Sequence, residues 1–200
     1  MNKKEYSSNI KKTQFEYQNS LKIAQLVLKG DTYKEVLHKC FDEHLIQTIS
    51  DQRRKEITNV VYERIASLDG FLLKIFVNGS ITASKFILVY AIAKTDKLFF
   101  EFLYQYYRDA ILGNKKYISM QDFDNFFDSV KEKSPIVKKW SRTTIEDIRT
   151  AYKSILIKSG LGEKDVKNVV VRLAVISPNI VNHIKEIGDG IYLQALLGVD

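Results

Sequence analysis

Apolar residues recur every three or four positions along most of this 200-residue chain, which is the period of an α-helix with one buried face. Residues that commonly begin and end helices mark the expected helix boundaries as well. Gly30 ends a first helix over residues 15–29, and Thr32 with Glu35 forms a capping box for a second helix. A third helix follows Ser50. The pattern therefore predicts a mainly α fold.

The most apolar stretch, residues 71–93, predicts two helices separated by Asn78-Gly79. Its longest run without a polar residue is FILVYAIA, residues 86–93. A helix that crosses a bilayer needs about 20 such residues. We therefore expect buried helices of a globular protein and no membrane span.

Residues 96–112 predict a helix with aromatic side chains all around it: Phe99, Phe100, Phe102, Tyr104, Tyr106 and Tyr107. Such a helix is typical of a core element that packs between neighbours. A platform on which nucleic-acid bases stack is the alternative, and we favour the core. Ser119 then begins a further helix, whose predicted inner face consists of Phe123, Phe126, Phe127 and Val130.

The last third combines a periodic helix with a β-rich segment. Thr143 and Glu146 have the spacing of a second capping box, and we predict a helix from Thr144 to Ser159 that ends at a left-handed Gly160. Its predicted apolar stripe consists of Ile145, Ile148, Ala151, Tyr152, Ile155 and Leu156. Residues 166–177, VKNVVVRLAVIS, are rich in β-branched residues and predict a strand. A capped helix followed by a β segment resembles the recognition helix and wing of winged helix-turn-helix domains.

These elements predict a two-lobed helical bundle. The N-terminal lobe, residues 1–112, is a helical bundle that begins with a basic arm. The C-terminal lobe, residues 113–200, holds the winged-helix-like unit and its short β segment.

Positive charge is concentrated in two parts of the chain. Lys and Arg number 31 against 24 Asp and Glu, a formal net charge of +7. Residues 1–29 carry +4 and residues 131–172 carry +6, whereas residues 30–130 carry −1. Such asymmetry is typical of a polyanion partner, nucleic acid first and an anionic membrane second. An ordinary solvated surface can carry the same charge, so both interpretations stay open at this point.

The helix predicted from Thr144 carries charged residues at steps of three or four, which places Arg142, Glu146, Arg149 and Lys153 on one face. Thr143 and Thr144 lie at its start, where backbone N–H groups favour phosphate. This face supports phosphate contacts better than base reading. A packed helix with an ordinary solvated face is the alternative. The candidate nucleic-acid contacts are Lys138, Lys139, Arg142, Thr143, Thr144, Arg149, Lys153, Lys164, Lys167 and Arg172, and the basic arm adds Lys3, Lys4, Lys11 and Lys12.

No group of residues has catalytic spacing. Neither Gly-rich phosphate-binding pattern occurs, and the three histidines, His38, His44 and His183, are scattered. Asp122, Asp124 and Asp128 lack a further ligand at metal-site spacing, which favours an exposed acidic face. Cys40 is the one cysteine, which excludes an internal disulfide and indicates a reducing cytoplasm. We therefore predict a cytoplasmic non-enzyme without a cofactor or metal.

Four segments carry a family resemblance: LKIAQLVLKGDTYKEV at 21–36, ERIASLDGFLLKIF at 63–76, FFEFLYQYYRDAIL at 99–112, and the helix that follows Trp140-Ser141 and ends in Ser-Gly-Leu at 159–161. With these segments in order, nearly the whole chain resembles the BrxA family, the small helical component of BREX phage-defence systems. The resemblance rests on helix starts and apolar positions. It implies a cytoplasmic, mainly helical protein, similar to NusB-type antitermination folds, that binds double-stranded DNA and is not an enzyme. It supplies no site residues.

The sequence thus predicts a non-enzymatic accessory protein of a BREX system whose partners are double-stranded DNA and other BREX components. One alternative is an adaptor whose basic face binds an acidic protein of the defence complex. Another is an RNA-binding, NusB-like protein. Steep salt dependence with duplex DNA would favour the first function, and preference for a stem-loop RNA would favour the last.

Overall fold

The computed structural model describes residues 5–113 and 115–199, and it is mainly α-helical as predicted. The chain divides into two compact units. The helical unit is Phe15–Thr95, and the mixed unit combines Met1–Gln14 with Asp96–Asp200. This division differs from the expected lobes of residues 1–112 and 113–200, because residues 96–112 group with the C-terminal helices.

Side chains cap the starts of three helices of the helical unit, those that follow Thr32, Ser50 and Asp69. Thr32 and Glu35 form the predicted capping box, and Ser50 and Asp69 each accept a hydrogen bond from the backbone N–H three residues on. The helices are α1 Tyr17–Leu28, α2 Tyr33–Phe41, α3 Asp51–Ala66, α4 Gly70–Asn78 and α5 Ile81–Thr95. The predicted break at Asn78-Gly79 is confirmed by the separation of α4 from α5.

Helix α5 is the centre of the helical unit. Every residue from Phe86 to Ala93 is at most 2% exposed, so this part of the helix is buried on all sides. This burial explains why its sequence is apolar without helical periodicity. No helix in the described part of the chain has the length and apolarity needed to cross a bilayer.

The mixed unit contains the remaining helices and a small sheet. Its elements are a 3₁₀ turn Asn9–Lys11, α6 Lys97–Phe102, a π-helical segment Leu103–Tyr107, α7 Arg108–Leu112, β1 Tyr117–Ile118, α8 Met120–Lys133, α9 Pro135–Lys138, α10 Arg142–Ser159, β2 Gly162–Lys164, β3 Val169–Val171, α11 Pro178–Glu186 and α12 Gly190–Leu197. The predicted aromatic helix is thus helical throughout, with a π segment between α6 and α7.

The sheet is antiparallel, with the strand order β1-β3-β2. Tyr117 is paired with Val170, and Glu163 is paired with the same residue from the other side. The predicted strand at 166–177 is too long, because β3 covers only Val169–Val171. Its neighbours have two and three residues, so the ladder ends there and residues 172–177 continue without regular structure.

Aromatic rings form the core of the mixed unit. Phe102 is fully buried and its ring centroid lies 4.9 Å from that of Phe123 and 5.0 Å from that of Tyr152. The predicted inner face of α8, Phe123, Phe126, Phe127 and Val130, is buried as expected. The buried members of the aromatic helix are therefore core residues and are not available for base stacking.

Candidate nucleic-acid interface

Helix α10 begins earlier than the sequence indicated. Ser141 is its N-cap, and the Ser141 hydroxyl accepts a hydrogen bond from the Thr144 amide at 3.1 Å. The predicted capping box of Thr143 and Glu146 is therefore wrong, since Glu146 instead accepts a hydrogen bond from Arg142 at 2.8 Å. Gly160 ends the helix with a φ of +86°, which favours glycine.

The predicted apolar stripe of α10 is confirmed. Its buried residues are Ile145, Ile148, Ala151, Tyr152, Ile155, Leu156 and Ser159. These positions cover one side of the helix, so the candidate contacts on the same helix lie on the other side or along its flanks.

Arg149 lies on a flank of α10 and not on its open face. Its side chain is only 14% exposed and forms an ion pair with Asp124 of α8. The Arg149 Nε is also buried, without a hydrogen-bond partner among the described residues. This guanidinium is therefore directed toward α8 and is already largely neutralised.

Lys153 lies on the same flank as Arg149. Its Nζ is 2.8 Å from the Met120 Sδ and 5.3 Å from the centroid of the Phe123 ring. Burial, together with the Arg149 cation, lowers the pKa of Lys153. The single charged face predicted for α10 is thus divided, with Arg142 exposed at the helix start and the other two cations packed against α8.

The N-terminal arm covers the opposite flank of α10. The Lys11 Nζ donates to the Thr144 hydroxyl at 3.2 Å and lies 3.8 Å from the Asp147 carboxylate. Ile10 is 2% exposed and Lys12 is exposed. Lys3 and Lys4, the other predicted cations of the arm, lie outside the described residues.

Tyr6 attaches the arm to α6. Its hydroxyl donates to the Glu101 carboxylate at 2.9 Å, and the Lys97 Nζ lies 4.5 Å from the centroid of its ring. Burial, followed by the hydrogen bond to Glu101, raises the pKa of Tyr6 to about 12. The arm is therefore held at both ends of its described part.

Lys138 and Lys139 are exposed at the end of α9, immediately before α10. Lys164 and Lys167 are exposed in the β2–β3 hairpin that follows α10. Within the described residues these four lysines form no ion pair. Arg172, in contrast, is paired with Glu163 at 2.6 Å.

Tyr107 positions the hairpin. Its hydroxyl donates to the Arg172 carbonyl at 2.8 Å and lies 3.2 Å from the Leu161 carbonyl, so one side chain contacts the chain on both sides of the hairpin. Burial raises the pKa of Tyr107. Sequence reasoning missed this role, and the sole signal was the need of a buried tyrosine hydroxyl for a partner.

We expect Tyr107→Phe to lower the free energy of unfolding by about 1–2 kcal/mol, because the Arg172 carbonyl is left without its buried donor. Amide hydrogen exchange in the β2–β3 hairpin should accelerate as well. Tyr117→Phe is the matched control, since Tyr117 is 43% exposed. Equal unfolding curves for the two variants would contradict a positioning role for Tyr107.

The three aspartates of α8 pair with basic or polar neighbours. Asp122 accepts hydrogen bonds from Lys115 at 2.7 Å and forms a capping box with Ser119. Burial raises the pKa of Asp122, but the hydrogen bonds from Lys115 and Ser119 lower it overall. Asp128 accepts a hydrogen bond from Lys131 at 2.9 Å. Across residues 5–113 and 115–199, no three His, Cys, Asp or Glu side chains are grouped so that they could hold a metal ion.

The protein is thus mainly α-helical, and in its mixed unit a capped helix and the following hairpin are bordered by lysines that have no ion pair with any described residue. The chain belongs to the BrxA family, whose family model matches residues 4–188. Over 193 residues it is 31% identical to the BREX protein BrxA of Bacillus cereus (strain H3081.97), and the alignment covers 96% of each protein. The family resemblance seen in the sequence is confirmed.

A solved structure shares the fold. The crystal structure of an uncharacterized protein from Magnetospirillum magneticum matches with a TM-score of 0.84 at 19% sequence identity. The match covers 97% of this chain and 99% of that chain. At this identity the likeness shows the fold alone.

Proposed function

We propose that this protein is a non-enzymatic accessory component of a BREX phage-defence system and that its mixed unit binds double-stranded DNA. Membership of the BrxA family supports the first part, together with the likeness to the BREX protein of Bacillus cereus. The second part rests on the four lysines that border α10 and the hairpin. We place the protein in the cytoplasm, where it would meet both DNA and other BREX components.

The order of elements in the mixed unit supports a winged-helix-like mode of binding. Strand β1 is followed by α8, α9 and α10, and then by the β2–β3 hairpin, whose second strand pairs with β1. A helix-turn-helix pair followed by a hairpin has this order. In such proteins the second helix of the pair contacts the major groove and the first crosses the backbone.

The ion pairs within the mixed unit indicate which basic residues we expect to bind phosphate. Arg142, Arg149 and Arg172 each have a carboxylate partner, so a phosphate would have to compete for them. Lys138, Lys139, Lys164 and Lys167 are exposed and have no such partner within the described residues. A cation without a carboxylate partner can replace a DNA counterion without first breaking an ion pair. These lysines are therefore the main candidate phosphate contacts.

We expect Lys138→Glu/Lys139→Glu to weaken duplex binding about 10- to 100-fold at roughly 0.1 M salt, irrespective of sequence. The slope of log K against log salt should become shallower by about two units, one for each lysine that no longer neutralises a phosphate. Fluorescence anisotropy with a labelled duplex over a salt series measures both effects.

The matched control is Lys34→Glu/Lys55→Glu, which makes the same charge change at two exposed lysines of the helical unit. Equal weakening by both variants would mean that net charge alone matters, and the proposed site would be wrong. Tighter binding of a stem-loop RNA than of duplex DNA would favour the RNA-binding alternative. Absence of binding to any nucleic acid would favour the adaptor.

A further inference from the structure

The exposed face of α10 forms a narrow strip between two covered flanks. On one flank, Arg149 and Lys153 pack against α8, and on the other, Lys11 contacts Thr144 and Asp147. The strip between them consists of three exposed residues and one half-buried residue, in order Thr143, Glu146, Thr150 and Ser154. Its side chains are hydroxyl groups and one carboxylate, and the Glu146 carboxylate accepts a hydrogen bond at 2.8 Å from Arg142, whose side chain is 91% exposed at the start of the strip.

Lysines lie on the segments that precede and follow α10 in the chain. Lys138 and Lys139 precede its start, and Lys164 and Lys167 belong to the hairpin after its end, where the Lys167 carbonyl lies 3.5 Å from the Lys153 Nζ. Thr143 and Thr150 are separated by two helical turns, about 10 Å along the axis. The major groove of B-DNA is about 12 Å wide and has a phosphate backbone on each side. Hydroxyl groups and one Arg142–Glu146 pair on the helix, with lysines on the segments before and after it, suit a groove with base edges on its floor and phosphates on its sides.

The strip residues have the chemistry of base contacts. The Thr150 hydroxyl donates to the Glu146 carbonyl at 2.9 Å, which leaves its methyl group and its oxygen lone pairs for a partner. A threonine methyl packs against the thymine methyl, and a glutamate carboxylate accepts from the amino group of cytosine. Glu146 is paired with Arg142, so the strip presents an acceptor beside a donor, and this combination suits the edges of a base pair better than a phosphate, which the carboxylate would repel.

We propose that this strip reads base edges in the major groove, so that the protein prefers particular duplex sequences. This inference rests on the proposed DNA binding, and it reverses the expectation from the sequence that α10 contacts mainly phosphates. Thr143, Glu146 and Thr150 determine the preference, and the flanking lysines supply affinity without regard to sequence.

The test begins with wild-type protein and a pool of duplexes that carry a randomised central stretch. We expect selection to enrich a motif that contains a C·G pair, with a Kd lower by roughly tenfold or more than for a shuffled duplex of equal length. The variant Thr143→Ala/Glu146→Ala/Thr150→Ala should bind the shuffled duplex at least as tightly as wild type and should lose the preference. Alanine favours helix, and thermal unfolding confirms that the variant is folded.

Two further variants separate the possible outcomes. Glu146→Gln keeps the size of the side chain and should shift the preference away from the C·G pair. Lys138→Glu/Lys139→Glu should weaken binding to both duplexes while the ratio of the two Kd values is retained. Binding of the pool without enrichment, or enrichment that the triple variant retains, would overturn the inference and leave the proposed function intact. Failure of the wild type to bind the pool would overturn both.

Discussion

Phe102→Ala is expected to lower the free energy of unfolding by about 3–5 kcal/mol, a larger loss than we expect from any other substitution proposed for this protein. Phe102 is fully buried, and its ring contacts those of Phe123, Phe126 and Tyr152. Removing it leaves a cavity among rings that α8 and α10 supply, and aromatic rings cannot close such a space without leaving their rotamers. Urea denaturation followed by near-ultraviolet circular dichroism measures the loss.

The comparison variant is Leu112→Ala, in α7 of the same helical stretch. Leu112 is 58% exposed, so its truncation should cost less than about 1 kcal/mol. Below its unfolding temperature, the Phe102 variant should bind duplex DNA as wild type does. Unchanged stability with lost binding would show instead that the aromatic helix is a platform for bases.

Arg149→Glu is expected to destabilise the protein by about 2–3 kcal/mol, because it places a carboxylate beside Asp124 where a guanidinium now pairs with it. This loss is smaller than that for a fully buried pair, since Asp124 is 47% exposed and water screens the interaction. Part of the stability should be recovered in about 1 M salt, where the repulsion between the two carboxylates is screened. Urea denaturation at low and high salt measures both effects.

A charge exchange tests the cause of this loss. Asp124→Arg in the Arg149→Glu background restores an ion pair with the charges reversed and should recover part of the stability. If Arg149→Glu unfolds like wild type but binds DNA less tightly, Arg149 is a DNA contact, as the sequence alone had indicated. If the exchange recovers nothing, the pairing with Asp124 is not the reason for the loss.

Local signals in the sequence predicted the helices well. The capping box of Thr32 and Glu35, the cap at Ser50 and the left-handed Gly160 all occur where expected. The buried faces of α8 and α10 were predicted residue by residue. Each of these features depends on residues three or four positions apart, which the sequence displays directly.

The sheet was predicted poorly because its stability comes from pairing and not from a local pattern. Strand β2 is Gly162-Glu163-Lys164, with no β-branched residue, and it is a strand only because Val169–Val171 lies beside it. A Cβ at Gly162 would lie 2.5 Å from the Val169 Cγ1, so glycine permits this close approach. That requirement cannot be recognised before the partner strand is known.

The amino-acid sequence alone was sufficient for the mainly α class, the starts of α2, α3 and α8, the apolar face of α10 and the excess of basic residues, because all of these follow from composition or from neighbours one turn away. The open face of α10 was decided by tertiary structure. Arg149 meets Asp124, which is 25 residues distant, and Thr144 meets Lys11, which is 133 residues distant. Helical periodicity gives the direction of a side chain but not the element that packs against it. Only the folded chain therefore separates cations that are already paired from those that can bind a phosphate.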